Sequence, residues 1–130
     1  MELPPNPVSP ALFERAGLTR ARRHVFVCIG PECCESEEGE RLWELIKQRV
    51  KQTGVEAMRT KAQCFRICAG GPWLVVYPEG VWYGGVTEGR FEEILQRHLL
   101  GGVVVEEWVA ASTPCGARSS GGKSSAGDLA

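Results

Sequence analysis

Apolar residues are distributed along the chain in two kinds of pattern, short continuous runs and stretches with helical spacing. The continuous runs are rich in β-branched and aromatic residues, which is typical of strands. They predict four strands, at residues 24–29, 55–60, 73–77 and 81–83. The helical spacing predicts two helices, one between Ser36 and Gly54 and one between Thr87 and Gly101.

Both predicted helices have an apolar stripe and recognisable ends. Ser36 is predicted to cap the first helix, and Gly54 to end it in the left-handed conformation. Thr87 is predicted to cap the second. The stripe of the first helix consists of Leu42, Leu45, Ile46 and Val50, and that of the second of Phe91, Ile94, Leu95, His98 and Leu99.

The order of these elements predicts an α/β fold. A helix joins the first two strands, which indicates a parallel pair with a right-handed crossover. The third and fourth strands are separated by Pro78-Glu79-Gly80, a short connection containing glycine that is typical of a β-hairpin. The pattern therefore predicts a four-stranded mixed sheet with two main helices.

Both ends of the chain are poor in residues that could join a core. Residues 1–22 begin with four prolines among the first ten positions and predict a flexible arm, with a single helical turn at 11–17. Residues 110–130 are dominated by Ser, Gly, Ala and Lys and predict a disordered tail. The folded domain is expected to span residues 23–109.

Composition and charge narrow the classes of function. The 130 residues carry a formal net charge of -1, so no bulk positive charge attracts nucleic acid or an anionic membrane. No apolar run is long enough to cross a bilayer, and the N-terminus lacks the features of a secretory signal. A cytoplasmic protein is expected, and there the 6 cysteines indicate metal or redox chemistry rather than disulfides.

Five of the cysteines lie in two short loops that also contain glycine and proline. Cys28 and Cys33 have C-x4-C spacing at the end of the first strand, and Cys64 and Cys68 have C-x3-C spacing after the second. Four thiolates from two loops are the ligand set of a [2Fe-2S] cluster, in which each iron takes two cysteine sulfurs. The loop glycines allow backbone N–H groups to approach sulfur, which tunes the potential of an anionic cluster.

The cysteine loops and the hairpin together resemble the thioredoxin-like [2Fe-2S] ferredoxin family. The cysteine pattern is followed by Gly71-Pro72 and by the segment Val75-Val76-Tyr77-Pro78-Glu79-Gly80-Val81-Trp82-Tyr83, and the resemblance covers residues 23–109. It implies a thioredoxin-like fold with sheet order 2-1-3-4 and a soluble one-electron carrier, not an enzyme, that serves redox partner proteins and is often a homodimer. It also implies that Cys28, Cys33, Cys64 and Cys68 are the cluster ligands. A cis peptide before Pro72 is a further expectation.

Several alternatives remain open at the level of the sequence. Cys34 directly follows Cys33 and could replace it as a ligand. The four thiolates could instead bind zinc in a non-redox interaction module, although zinc sites commonly use C-x2-C spacing. The domain could also be a cluster-bearing subunit of a larger redox enzyme. Cys115 is expected to be a free thiol. The acidic run at residues 35–40 is typical of a solvated helix start and could also help to steer a basic redox partner.

Overall fold

Five strands form one mixed sheet in the computed structural model, which describes residues 9–114. The strands are β1 (Arg23–Cys28), β2 (Ala57–Ala62), β3 (Leu74–Tyr77), β4 (Val81–Tyr83) and β5 (Val109–Ser112). Their order is β2-β1-β3-β4-β5. β1 and β2 are parallel, and all other neighbours are antiparallel. The predicted order 2-1-3-4, the parallel pair and the three-residue hairpin are confirmed.

The prediction of four strands is wrong by one, because β5 adds to the edge of β4. Its residues are mostly exposed, so no alternation of buried and exposed positions marks it in the sequence. Pairing with β4 holds it in place, and just beyond it the Thr113 N–H donates to the Gly80 carbonyl at 2.7 Å. The predicted start of the tail at residue 110 is therefore wrong as well. Residues 1–8 and 115–130, including Cys115, lie outside the described part of the chain.

The helices are α1 (Pro10–Ala16), α2 (Ser36–Thr53) and α3 (Glu88–Glu93). α3 continues as a π-helical segment, Ile94–Leu100, and a 3₁₀ turn follows at Glu106–Trp108. The predicted arm thus contains one short helix, which Gly17 ends at a φ of 83°. The Thr87 cap is confirmed, since its hydroxyl accepts from the Arg90 N–H at 3.1 Å.

The predicted cap of α2 is wrong by one residue. Glu35 occupies the N-cap position and makes no side-chain capping bond, and Ser36 is the first helical residue. The negative charges of Glu37 and Glu38 in the first turn interact favourably with the positive end of the helix dipole. Gly54 ends the helix at a φ of 68°, as predicted.

The core lies on one face of the sheet, between the strands and the helices. Both predicted apolar stripes contribute to it, and only Leu45 among them is partly exposed. The sheet residues in this core are Val25, Val27, Leu74, Val76, Val81 and Tyr83. Because neighbouring residues of a strand point to opposite faces, aromatic side chains occupy the other face. There the His24 ring stacks on Phe26, and Phe26 meets Tyr77 edge to face.

A buried histidine joins the π-helical segment to the sheet. The Tyr83 hydroxyl accepts from the Val105 N–H at 3.0 Å and lies 2.9 Å from His98 Nδ1. We assign the Tyr83 hydrogen to Nδ1, because this oxygen already accepts from Val105, and the ring proton of His98 to Nε2, which faces the Glu79 carboxylate. Nε2 lies 3.5 Å from a Glu79 oxygen, too far for a good hydrogen bond. Burial lowers the pKa of His98, while the Glu79 carboxylate acts in the opposite direction.

We expect this histidine to make the protein less stable in mild acid. Because the folded-state pKa of His98 is lowered, the unfolded chain binds more protons as the pH falls below about 6.5. The free energy of unfolding then falls by about 1.4 kcal/mol for each unit of difference between the two pKa values. His98→Asn retains an acceptor for Tyr83 and removes the titration. Urea unfolding between pH 7 and pH 5 should show a shallower loss of stability in this variant, and an unchanged slope would contradict the assignment.

Candidate metal centre

The first cysteine loop presents two buried thiols to each other. Cys28 is the last residue of β1 and is completely buried, and Cys33 is 6% exposed. Their sulfurs are 2.7 Å apart. Cys34 is half-buried, and its sulfur lies 3.9 Å from that of Cys33. The structure therefore pairs Cys28 with Cys33, and Cys34 lies next to the pair.

The second cysteine loop leaves the sheet at the same end. β1 and β2 are parallel with Cys28 opposite Ala62, so the loops that follow them both begin at this edge of the sheet. Cys64 and Cys68 are exposed. Between them Arg66 adopts a left-handed φ of 70°, and its N–H donates to Cys64 Sγ at 3.0 Å. This conformation is uncommon for a residue other than glycine and is often found at functional sites.

The two loops contact each other directly through their backbones. The Gly71 N–H donates to the Cys33 carbonyl at 2.9 Å. A Cβ atom on Gly71 would lie 2.8 Å from Cys33 Cβ, so only glycine fits at this contact. The Trp73 N–H donates to Cys28 Sγ at 3.2 Å. The chain that follows Cys68 therefore packs against both Cys28 and Cys33.

Burial keeps two thiols of the first loop, those of Cys28 and Cys34, protonated when no metal is bound. Burial first, and then the adjacent Cys33 thiol, raise the pKa of Cys28 to about 12. The pKa of Cys34 is also raised to about 12, by burial first and then by the Cys33 thiol and nearby glutamates. Because metals bind thiolates, binding here must release protons and will weaken in acid.

The chemistry of these residues fits a four-thiolate iron–sulfur cluster. Two backbone N–H groups already donate to sulfur, at Cys28 and Cys64, as an anionic cluster requires. Tetrahedral metal–sulfur bonds of about 2.3 Å separate two sulfurs by about 3.8 Å, so Cys28 and Cys33 must move slightly apart on binding. Among residues 9–114, no three His, Cys, Asp or Glu side chains are already gathered around one point. The loop that carries the exposed Cys64 and Cys68 thus begins at the same end of the sheet as the buried pair, Cys28 and Cys33. The four sulfurs do not yet surround one point.

Several features of this site did not emerge from the sequence. The expected cis peptide before Pro72 is confirmed, but the peptides before Pro31 and Pro78 are also cis. The contacts of Trp73 with the cysteine loops are not predicted either, since residues 73–77 are expected only to form a strand. Its position directly after Gly71-Pro72 was the available signal.

Known proteins with similar sequences are 2Fe-2S ferredoxins. The chain is 35% identical to the 2Fe-2S ferredoxin of Clostridium pasteurianum over 98 residues, covering 68% of this chain and 96% of that protein. It is 34% identical to the 2Fe-2S ferredoxin of Aquifex aeolicus over 97 residues, covering 67% and 87%. No family model matches the sequence.

Solved structures agree with the sequence relatives. A thioredoxin-like [2Fe-2S] ferredoxin from Aquifex aeolicus superposes with a TM-score of 0.63 at 31% identity, covering 71% of this chain and 93% of the other. A wild-type structure of the thioredoxin-like [2Fe-2S] ferredoxin from the same organism superposes with a TM-score of 0.60 at 33% identity, covering 70% and 98%. In residues 9–114, no helix combines the length and apolarity needed to cross a bilayer.

Proposed function

This chain belongs to the thioredoxin-like [2Fe-2S] ferredoxin family, and we propose that Cys28, Cys33, Cys64 and Cys68 hold its cluster. It is an electron-transfer protein rather than an enzyme, and its cofactor is a [2Fe-2S] cluster. The observation that supports this ligand set is the contact between the two loops, through Gly71 and Cys33 on one side and Trp73 and Cys28 on the other. Cys34 is not needed as a ligand.

The two cysteine pairs have different surroundings, and this suggests different roles. The buried pair consists of Cys28, at the end of β1, and Cys33 in the loop that follows, and both are shielded from water. The exposed pair, Cys64 and Cys68, lies where a partner can approach. The bound cluster supplies the one-electron chemistry. The protein holds the sulfurs, directs N–H groups at two of them and keeps solvent from one side of the site.

Metal analysis tests this proposal directly. Protein purified without oxygen should contain about two iron atoms and two inorganic sulfides per chain and show the visible absorption of a [2Fe-2S] cluster. Zinc at one atom per chain, with no iron or sulfide, would instead support the alternative of a non-redox interaction module. It would contradict the proposed function.

We further propose that a basic redox partner docks on the acidic start of α2. Glu35, Glu37 and Glu40 are exposed, and this segment directly follows the first cysteine loop. Opposite charges increase the rate of productive encounter between electron-transfer proteins, and salt weakens the effect. The same charged face would serve a partner in a free electron-transfer chain and one in a larger enzyme of which this domain is a subunit.

Reversing this charge should slow electron transfer to a basic acceptor. For the double variant Glu35→Lys/Glu37→Lys, we expect the rate of reduction of cytochrome c to fall by about tenfold or more at low salt. The difference from wild type should shrink at high salt. Glu106→Lys is the matched control, because Glu106 is exposed on the 3₁₀ turn and not on a cysteine loop. Equal rates in all three proteins would argue against docking on α2.

The sheet face opposite the helices suggests a homodimer. It carries His24, Phe26 and Tyr77 with only partial burial, and a two-fold dimer places the same patch of both copies in contact. We also propose a cytoplasmic location, because the reducing cytosol keeps cysteines as the free thiols that a cluster needs. Light scattering should give the mass of two chains for wild type and of one chain for Phe26→Glu. A monomeric wild-type protein at high concentration would refute the dimer.

A further inference from the structure

We propose that Trp73 and Trp82 are positioning residues that clamp the second cysteine loop, residues 63–70, from its two ends. The role of this clamp in holding cluster ligands rests on the proposed function. The contacts themselves belong to the folded chain and can be tested without a cluster.

The second cysteine loop has no anchor in the core. No side chain between residues 63 and 70 is buried, and both of its cysteines are exposed. Movement of such a loop normally costs little free energy, because few contacts are lost and conformational entropy is gained. Cluster binding nevertheless requires Cys64 and Cys68 at set positions relative to the inner pair. The loop must therefore be held by contacts outside the core.

Trp73 holds the end of the loop next to Cys68. Its indole Nε1–H donates to the Ala69 carbonyl at 2.8 Å. The ring lies against two glycines, since a Cβ atom on Gly70 would be 3.5 Å from the indole and one on Gly84 only 2.8 Å from it. The Gly85 N–H adds a bond to the Gly70 carbonyl at 2.7 Å. The loop end is thus bonded to a ring that has no room to shift toward β4.

Trp82 holds the other end, next to Cys64. The Phe65 ring meets the Trp82 indole edge to face, with 5.2 Å between ring centroids and an interplanar angle of 89°. This geometry is favourable for aromatic pairs. The Trp82 Nε1–H donates to the Thr113 hydroxyl at 2.6 Å, which fixes the indole in turn. The two tryptophans therefore contact residues immediately beside the two exposed cysteines.

Trp73 also links the two cysteine loops to each other. The Trp73 backbone N–H donates to Cys28 Sγ, while its side chain bonds to Ala69. Trp73 thus connects the second cysteine loop to the sulfur of Cys28. This connection fixes the distance between the exposed cysteine pair and the buried one. Cluster retention and reduction potential should both depend on this distance, because they depend on sulfur positions and on N–H donors to sulfur.

Hydrogen exchange measured by mass spectrometry tests the clamp in the metal-free chain. Trp73→Phe keeps an aromatic ring and removes the donor to Ala69, and Trp82→Leu removes the ring under Phe65. We expect amide exchange in residues 63–70 to accelerate about two- to tenfold in each variant, as loss of one modest interaction allows. Trp43→Phe on α2 is the control, because Trp43 is buried and its ring contact is with Lys61 of β2, outside residues 63–70, so exchange in the loop should stay unchanged.

The cluster-loaded proteins provide a second measurement. Loss of visible absorption in the presence of an iron chelator should be faster for Trp73→Phe and Trp82→Leu than for Trp43→Phe. Unchanged exchange in residues 63–70 of both clamp variants would overturn the proposal, and so would equal acceleration in all three variants. If exchange responds as expected but the wild-type chain never binds iron and sulfide, the clamp stands and the proposed function fails.

Discussion

Cys33→Ala is expected to reduce the iron content of the purified protein to less than about a tenth of the wild-type value, whereas Cys34→Ala should leave it unchanged. The two residues are neighbours in sequence, so the pair of variants removes one thiol each from the same loop. Alanine is preferred to serine because a serine oxygen can replace a lost thiolate as a ligand. Iron and sulfide analysis with visible spectroscopy measures the effect.

The reason for this difference is the direction in which each sulfur lies. Cys33 Sγ is 2.7 Å from Cys28 Sγ, and its backbone carbonyl accepts the N–H that joins the second loop. Cys34 is the more exposed of the two and is adjacent only to Cys33 among the described sulfur contacts. A normal cluster in Cys33→Ala together with its loss in Cys34→Ala would assign the fourth ligand to Cys34.

Gly39→Ala is expected to lower the free energy of unfolding by about 1 to 3 kcal/mol or more, although alanine is the better helix former. Gly39 lies in α2 where the helix crosses the end of β1. A Cβ atom there would lie 2.3 Å from the Ile29 carbonyl oxygen and 2.6 Å from Ile29 Cα. These are backbone atoms next to Cys28, so relief requires the helix or the cysteine loop to move.

Gly89→Ala is the matched control within a second helix. A Cβ atom at Gly89 would meet nothing closer than 4.0 Å, so the usual preference for alanine should raise stability by about 0.5 to 1 kcal/mol. Urea unfolding of both variants measures the difference. Equal stabilisation by the two substitutions would show that α2 does not pack closely against Ile29.

Much of the fold could be predicted because its signals are local. The apolar stripes of α2 and α3, the Gly54 stop and the Pro78-Glu79-Gly80 turn each depend on residues close together in sequence. β5 could not be predicted, because pairing with β4 rather than burial holds it. The burial of His98 was anticipated from its place on the helix stripe, but its bond to Tyr83 joins elements that no periodicity relates.

The sequence by itself determined the class of cofactor of this protein, since two cysteine pairs beside glycine and proline are a property of short segments. Only the tertiary structure decided which thiol pairs with Cys28. It also decided that Gly71 joins the second loop to the first by a hydrogen bond, and that Trp73 contacts both loops. The physical reason is that the contacts between the two loops join residues that are far apart in sequence, Gly71 with Cys33 and Trp73 with Cys28, which the parallel β1–β2 pair brings together.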